Sequence, residues 1–212
     1  MKKFKALLVV ACALLLVAAS VFGTMAYLTS TDEVKNTFTV GKVNIKLDEA
    51  KANPDGSLVA NAARVKANSY KLLPGHTYNK DPMVTVLSGS ESSYVKMTVT
   101  FSKANELDAI FAPDGADLTS IFNGYDAANW TAKGNTKDVT ANTRTYEFWY
   151  KEAVGAPTAD VTLDALFDSI TVPGTITSEQ LATIADMTIT VNAYAIQADG
   201  FANAEAAWEA IK

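Results

Sequence analysis

The sequence predicts an all-β fold, a jelly-roll-like antiparallel β-sandwich with few short helices, and three segments carry that expectation. Tyr94 to Phe101 sets Val95, Met97, Val99 and Phe101 on one face against Lys96, Thr98 and Thr100 on the other. Arg144 to Lys151 places Tyr146, Phe148 and Tyr150 against Thr145, Glu147 and Lys151, and Met187 to Gln197 alternates over the longest uninterrupted stretch. A period of two with one apolar and one polar face is the pattern of a half-buried antiparallel strand.

The first 26 residues stand apart from the rest. Lys2, Lys3 and Lys5 precede an uncharged 18-residue run from Ala6 to Gly23, which are the basic and apolar regions of a secretory signal peptide. Thr24-Met25-Ala26 puts small residues three and one before a cut between Ala26 and Tyr27, as a signal peptidase pocket requires. The apolar run is also at the lower limit for an uncleaved bilayer anchor. The small residues and the polar Thr29 to Glu33 that follow directly favour cleavage. Val9-Val10-Ala11-Cys12 resembles a lipoprotein box, yet the apolar stretch before Cys12 is short and continues beyond it, so Cys12 reads as a small hydrophobe.

Removing 26 of the 212 residues leaves 186 and takes three of the 18 basic residues and none of the 23 acids, so the mature chain is net −8. Such a charge repels a polyanion and argues against a nucleic-acid partner. With the single Cys in the leader, the mature chain has no thiol nucleophile, thiolate metal site or disulfide framework.

Residues 27–35 form a short polar arm before the sandwich domain, which is placed at 36–212. Within Asn36 to Leu47 the apolar parity switches across Gly41, from Phe38 and Val40 to Val43, Ile45 and Leu47; a bulge there would keep one bent strand. Ser69 to Leu73, Pro82 to Leu87 and Ser169 to Val172 are further strand candidates. They are separated by Asn53-Pro54-Asp55-Gly56, Pro74-Gly75, Ser88-Gly89-Ser90 and Pro173-Gly174, which are turn signals. Asn105 to Phe111 and Leu163 to Phe167 have helical spacing, and Asp114 to Lys137 reads as a long irregular connection. Asn203 is an N-cap for a C-terminal helix, Ala204 to Ile211, with Trp208 and Ile211 on one face.

Catalytic patterns are sparse. A zinc-protease helix needs two His four apart, and His76 is the single His. A Ser-His-Asp triad would need that His76, in the turn Leu73-Pro74-Gly75-His76-Thr77, and no Gly-x-Ser-x-Gly elbow accompanies it. Asp114-Gly115-Ala116-Asp117 and Asp48-Glu49 lack calcium-loop spacing and read as turn acids. No catalytic, cofactor or metal residue is expected. Among Trp130, Tyr146, Phe148, Trp149 and Tyr150, Trp149 lies on the polar parity and is the candidate surface-binding aromatic.

Gly23-Thr24-Met25-Ala26-Tyr27-Leu28-Thr29-Ser30-Thr31-Asp32, followed by Asn36-Thr37-Phe38-Thr39-Val40-Gly41-Lys42-Val43-Asn44-Ile45, resembles the junction of exported proteins of the TasA/camelysin family. Leu73-Pro74-Gly75 and the closing Val191-Asn192-Ala193-Tyr194-Ala195-Ile196-Gln197, with Phe201 and Ala207-Trp208, are similar to later signatures of that family, while Glu106 to Thr183 matches none. The resemblance implies a Gram-positive exported protein, a leader cut by a signal peptidase of the SipW type, and a jelly-roll sandwich. It also implies self-association into biofilm-matrix or cell-surface fibres, with accessory matrix proteins as further partners. The freed arm, Tyr27, Leu28, Thr29, Ser30, Thr31 and onward to Lys35, would add a strand to the next subunit. Two other functions stay open: a camelysin-like surface metalloprotease, and a monomeric adhesin or glycan-binding module using Asp114 to Lys137 and Trp149.

Overall fold

A computed structural model describes residues 2–23, 41–111 and 122–211. The chain forms two compact units, residues 1–39 and 40–212. In the first, the predicted leader is helical over α1 (Lys2–Gly23), and Leu7, Leu8, Val9, Val10 and Leu14 are exposed on it. The cleavage residues Ala26 and Tyr27 and the arm to Lys35 lie outside the described residues.

The second unit is an antiparallel β-sandwich, in agreement with the fold class the alternation predicts. Its strands are β1 (Ile45–Asp48), β2 (Thr77–Asn79), β3 (Met83–Val86), β4 (Ser93–Ser102), β5 (Phe122–Asn123), β6 (Trp130–Asp138), β7 (Thr143–Tyr150), β8 (Val161–Thr162), β9 (Ser169–Thr171) and β10 (Ile189–Gln197). The helices α2 (Ala104–Phe111), α3 (Ser178–Thr183) and α4 (Ala204–Glu209) are short.

One layer is the four-stranded sheet β10-β4-β7-β6. The other consists of β1-β3-β8 and β2-β9-β5, which read as one sheet broken at its middle. Asn79↔Ser169 and Thr85↔Thr162 bound that break. Across it the Lys80 N–H donates to the Asp168 carbonyl, Leu166 N–H to Pro82 and Leu163 N–H to Val84. Pro82 has no N–H to give a ladder, and it lies within the interruption between β2 and β3.

The core fills the space between the layers. Val95, Met97, Val99 and Phe101 of β4 are 0–1% exposed and meet Val84 and Val86 from β3 and Phe122 from β5 in one cluster. Phe122 stacks on Phe167 with centroids 4.3 Å apart and meets Phe148 edge-on. Each such side chain contributes about 1.5–3 kcal/mol on burial.

Several sequence expectations are corrected here. Leu163 to Phe167 is not helical: Leu163, Leu166 and Phe167 are buried plugs in the break between β8 and β9, and their spacing imitates a helix. Ser69 to Leu73 forms no strand. It is held by side chains, with the Leu73 N–H donating to the Tyr78 hydroxyl and that hydroxyl donating to the Lys71 carbonyl. Of the connection expected over Asp114 to Lys137, residues 112–121 lie outside the described residues, and the remainder contains β5 and most of β6. The Gly41 bulge falls at the border of the described chain. Beyond it Lys42 and Asn44 already accept from Glu91 and Leu87, so the pairing of β1 begins early.

The C-terminal helix forms as expected, with the Asn203 side chain accepting from the Ala206 N–H. Its Ala207 and Trp208 are buried, but it ends at Glu209, and Ile211, expected on the same face as Trp208, lies beyond it and is exposed.

Candidate functional site

The two edges of the four-stranded sheet are built differently. β6 is nine residues long, but its ladder with β7 slips between Ala132 and Gly134, and Gly134 takes φ +111°. Lys133 lies at that slip and Lys137 follows it in the resumed ladder. A bulge and lysines are the devices by which proteins blunt an exposed edge.

β10 carries no such device. Its sequence Ile-Thr-Val-Asn-Ala-Tyr-Ala-Ile-Gln has no charge, proline or glycine, and it pairs with β4 without interruption from Ile189↔Phe101 to Gln197↔Ser93. On its other side, no backbone hydrogen bond joins residues 189–197 to another strand among the described residues. A flat row of unpaired N–H and C=O groups is a template for an added strand.

The inward face of β10 is also incompletely covered. Ile189, Val191, Ala193 and Ala195 are only half-buried, whereas the inward residues of β4 next to them are sealed. Between β10 and the segment 65–70 runs a groove of about 740 Å³, lined among others by Leu47, Tyr70, Met187, Ile189 and Val191. Behind it lies an apolar cavity of about 60 Å³ bounded by Leu72, Phe101, Ile184 and the shared Tyr70, Met187 and Ile189.

The far wall of the groove is stapled by charge. Glu49 and Val65 exchange backbone hydrogen bonds, so the end of β1 is already occupied there. The Lys80 ammonium lies 2.6 Å from Glu49, with side chains 10% and 7% exposed, and the Asn68 amide donates to the other Glu49 oxygen at 3.0 Å. Arg64 bridges Asp48 at 2.6 Å and Asp81 at 2.8 Å. Burial pushes the Asp48 carboxyl up, and hydrogen bonds from Lys46 and Arg64 outweigh it, so the group ends below its ordinary range. Tyr70 is pushed up to about 12, first by burial and then by the Glu49 charge, and its neutral hydroxyl donates to the Asn79 carbonyl at 2.6 Å.

Asp48 and Glu49, read from the sequence as turn acids, are therefore ion-paired structural groups. His76 sits in its turn with its ring 6.4 Å from that of Tyr78. Trp149 lies on the outer face as its parity required, yet it is 7% exposed. The Lys133 ammonium sits 4.1 Å over its ring, Trp208 packs at 6.3 Å, and its indole N–H donates to Glu147. Its faces are thus occupied rather than presented as an open platform, although it lines a groove of about 510 Å³ beside α4. Asp114 and Asp117, like the arm residues Tyr27, Leu28, Thr29, Ser30 and Thr31, lie outside the described residues. Among the described residues no group of three His, Cys, Asp or Glu is placed to hold a metal ion.

The sequence singled out Met187 to Gln197 as its longest alternating run without showing that it lies at an edge. Its lack of any charged residue pointed the other way, because an exposed edge strand usually carries charge. No protein-family model, curated protein or solved structure matches this chain.

Proposed function

We propose that the chain is an exported structural subunit of cell-surface or matrix fibres, polymerising when the arm of one copy adds a strand along β10 of the next. The observation that carries this reading is the uncharged, bulge-free, nine-residue free edge of β10, next to a groove that leaves its inward side chains half-covered. The arm 27–35 also has nine residues, and at about 3.4 Å per residue both extend roughly 30 Å. Donation from copy to copy is head-to-tail and does not close, so it yields filaments rather than rings.

The resemblance of the leader junction to the TasA/camelysin family supports the same reading, with a SipW-type peptidase freeing the arm at Ala26. In this reading the protein is secreted, acts without a cofactor and is not an enzyme. Its main-chain ladder supplies most of the affinity, since Thr29, Ser30, Thr31, Asp32 and Glu33 offer little apolar surface.

Electron microscopy and size-exclusion chromatography of protein beginning at Tyr27, beside protein beginning at Asn36, test the proposal. Fibres from the first and monomers from the second are expected. Fibres of equal abundance from both would overturn it.

A further inference from the structure

We infer that the apolar cavity behind Met187 and Ile189 is an anchor pocket for Leu28 of a second copy, so that the arm runs alongside β10 in the same direction. The inference rests on the strand-donation reading above and adds the orientation and the contacts that fix it.

Parity selects the side chain. In an extended arm Leu28, Ser30, Asp32 and Val34 share one face, and Tyr27, Thr29, Thr31, Glu33 and Lys35 share the other. The cavity is walled by Tyr70, Leu72, Phe101, Ile184, Met187 and Ile189, and the polar groups at its lining are engaged elsewhere, Lys80 by Glu49, Thr171 by the Asn123 amide and the Tyr78 hydroxyl by the Lys71 carbonyl. A leucine enters such a space without leaving a polar atom unpaired, whereas a tyrosine hydroxyl would need a partner there.

Position selects the direction. The cavity lies at the start of β10, next to Met187 and Ile189. With Leu28 seated there, a nine-residue arm reaches the Gln197 end only by running the same way as β10. The reverse orientation would put the arm's Lys35 end at the cavity and Leu28 at the far end of the ladder, away from this cavity.

Charge is compatible with this orientation. Cleavage after Ala26 creates an ammonium on Tyr27, one residue before Leu28. At the mouth of the groove stands Asp186, an exposed carboxylate with φ +59° and no ion-pair partner among the described residues. The new terminus meets this carboxylate in the same-direction orientation, and the reverse one would bring Lys35 there instead, so the charge fits the orientation that the cavity selects. An uncleaved chain has no charge to offer there.

The mature chain is free of cysteine, since the single Cys is Cys12, so engineered pairs report without background. Protein beginning at Tyr27 is prepared as Leu28→Cys with Met187→Cys, and as Leu28→Cys with Gln197→Cys. Each is assembled, oxidised and run on non-reducing gels, because a disulfide forms only where Cα atoms come within about 7 Å. A ladder of covalent multimers from the Met187 pair and none from the Gln197 pair is the expected result. A ladder from the Gln197 pair, or fibres that cross-link in neither, overturns the orientation while leaving strand donation standing. A cross-linked monomer from the Met187 pair shows the arm folded onto its own chain and also overturns the inference. Absence of fibres from unsubstituted protein beginning at Tyr27 removes the underlying reading instead. In a parallel measurement, Asp186→Asn raises the critical concentration for assembly about two- to five-fold, as loss of one exposed ion pair would, and an unchanged value removes Asp186 from the account.

Discussion

Glu49 and Lys80 set the terms at the scale of single residues. Both are nearly buried and meet at 2.6 Å, so removing one leaves the other charged and without a counter-ion. Glu49→Ala is expected to cost about 3–5 kcal/mol in urea unfolding, whereas Glu49→Leu with Lys80→Met recovers most of that loss. Asp48 and Asp108 make the fold sensitive to acid. Each carboxyl is raised by burial and lowered more strongly by hydrogen bonds, from Lys46 and Arg64 to Asp48 and from Lys137 and Arg144 to Asp108. A depressed folded-state value means stability that is complete above the unfolded value near 4 and is lost as pH falls through the folded one. The urea midpoint should therefore fall progressively below about pH 4, and less steeply in Asp48→Asn. Tyr70 works in the opposite sense. Its hydroxyl titrates near 12 when folded, so its contribution holds below about pH 10 and is lost as pH rises from there toward 12. Tyr70→Phe flattens that alkaline limb.

At the scale of elements, β10 invites a direct test. Val191→Lys points a charge inward from an edge strand, a device proteins use against strand addition. The groove beside Val191 is open, so the lysine can extend to water and the monomer stays folded. Loss of fibres with an unchanged near-ultraviolet circular dichroism spectrum is expected. Elements were legible in the sequence wherever one face is dry and the other wet, which is why β4, β7 and β10 stand out from alternation alone. β6 escaped because it is exposed over most of its length, with only Trp130 buried, and a strand with two wet faces has no period to read. Leu163 to Phe167 misled for the converse reason: apolar residues plugging a broken sheet follow the shape of a hole. The arm's chemistry was legible, but the place it would dock depends on which strand ends the sheet, and strand order is a long-range property.

At the scale of the whole molecule, the two layers are joined by the core cluster and stapled at one side by the ion pairs around Arg64 and Lys80. The opposite treatment of the two sheet edges gives the subunit its character. Gly134 takes β6 out of register next to Lys133, while β10 pairs without a bulge on one side and has no partner strand on the other among the described residues. In the proposed fibre, neighbouring filaments would lie close without fusing, because the ladder that would knit them sideways is interrupted on each copy. On that proposal the bulge in β6 would decide the material: threads that remain separate and pliable, rather than a crystalline plate.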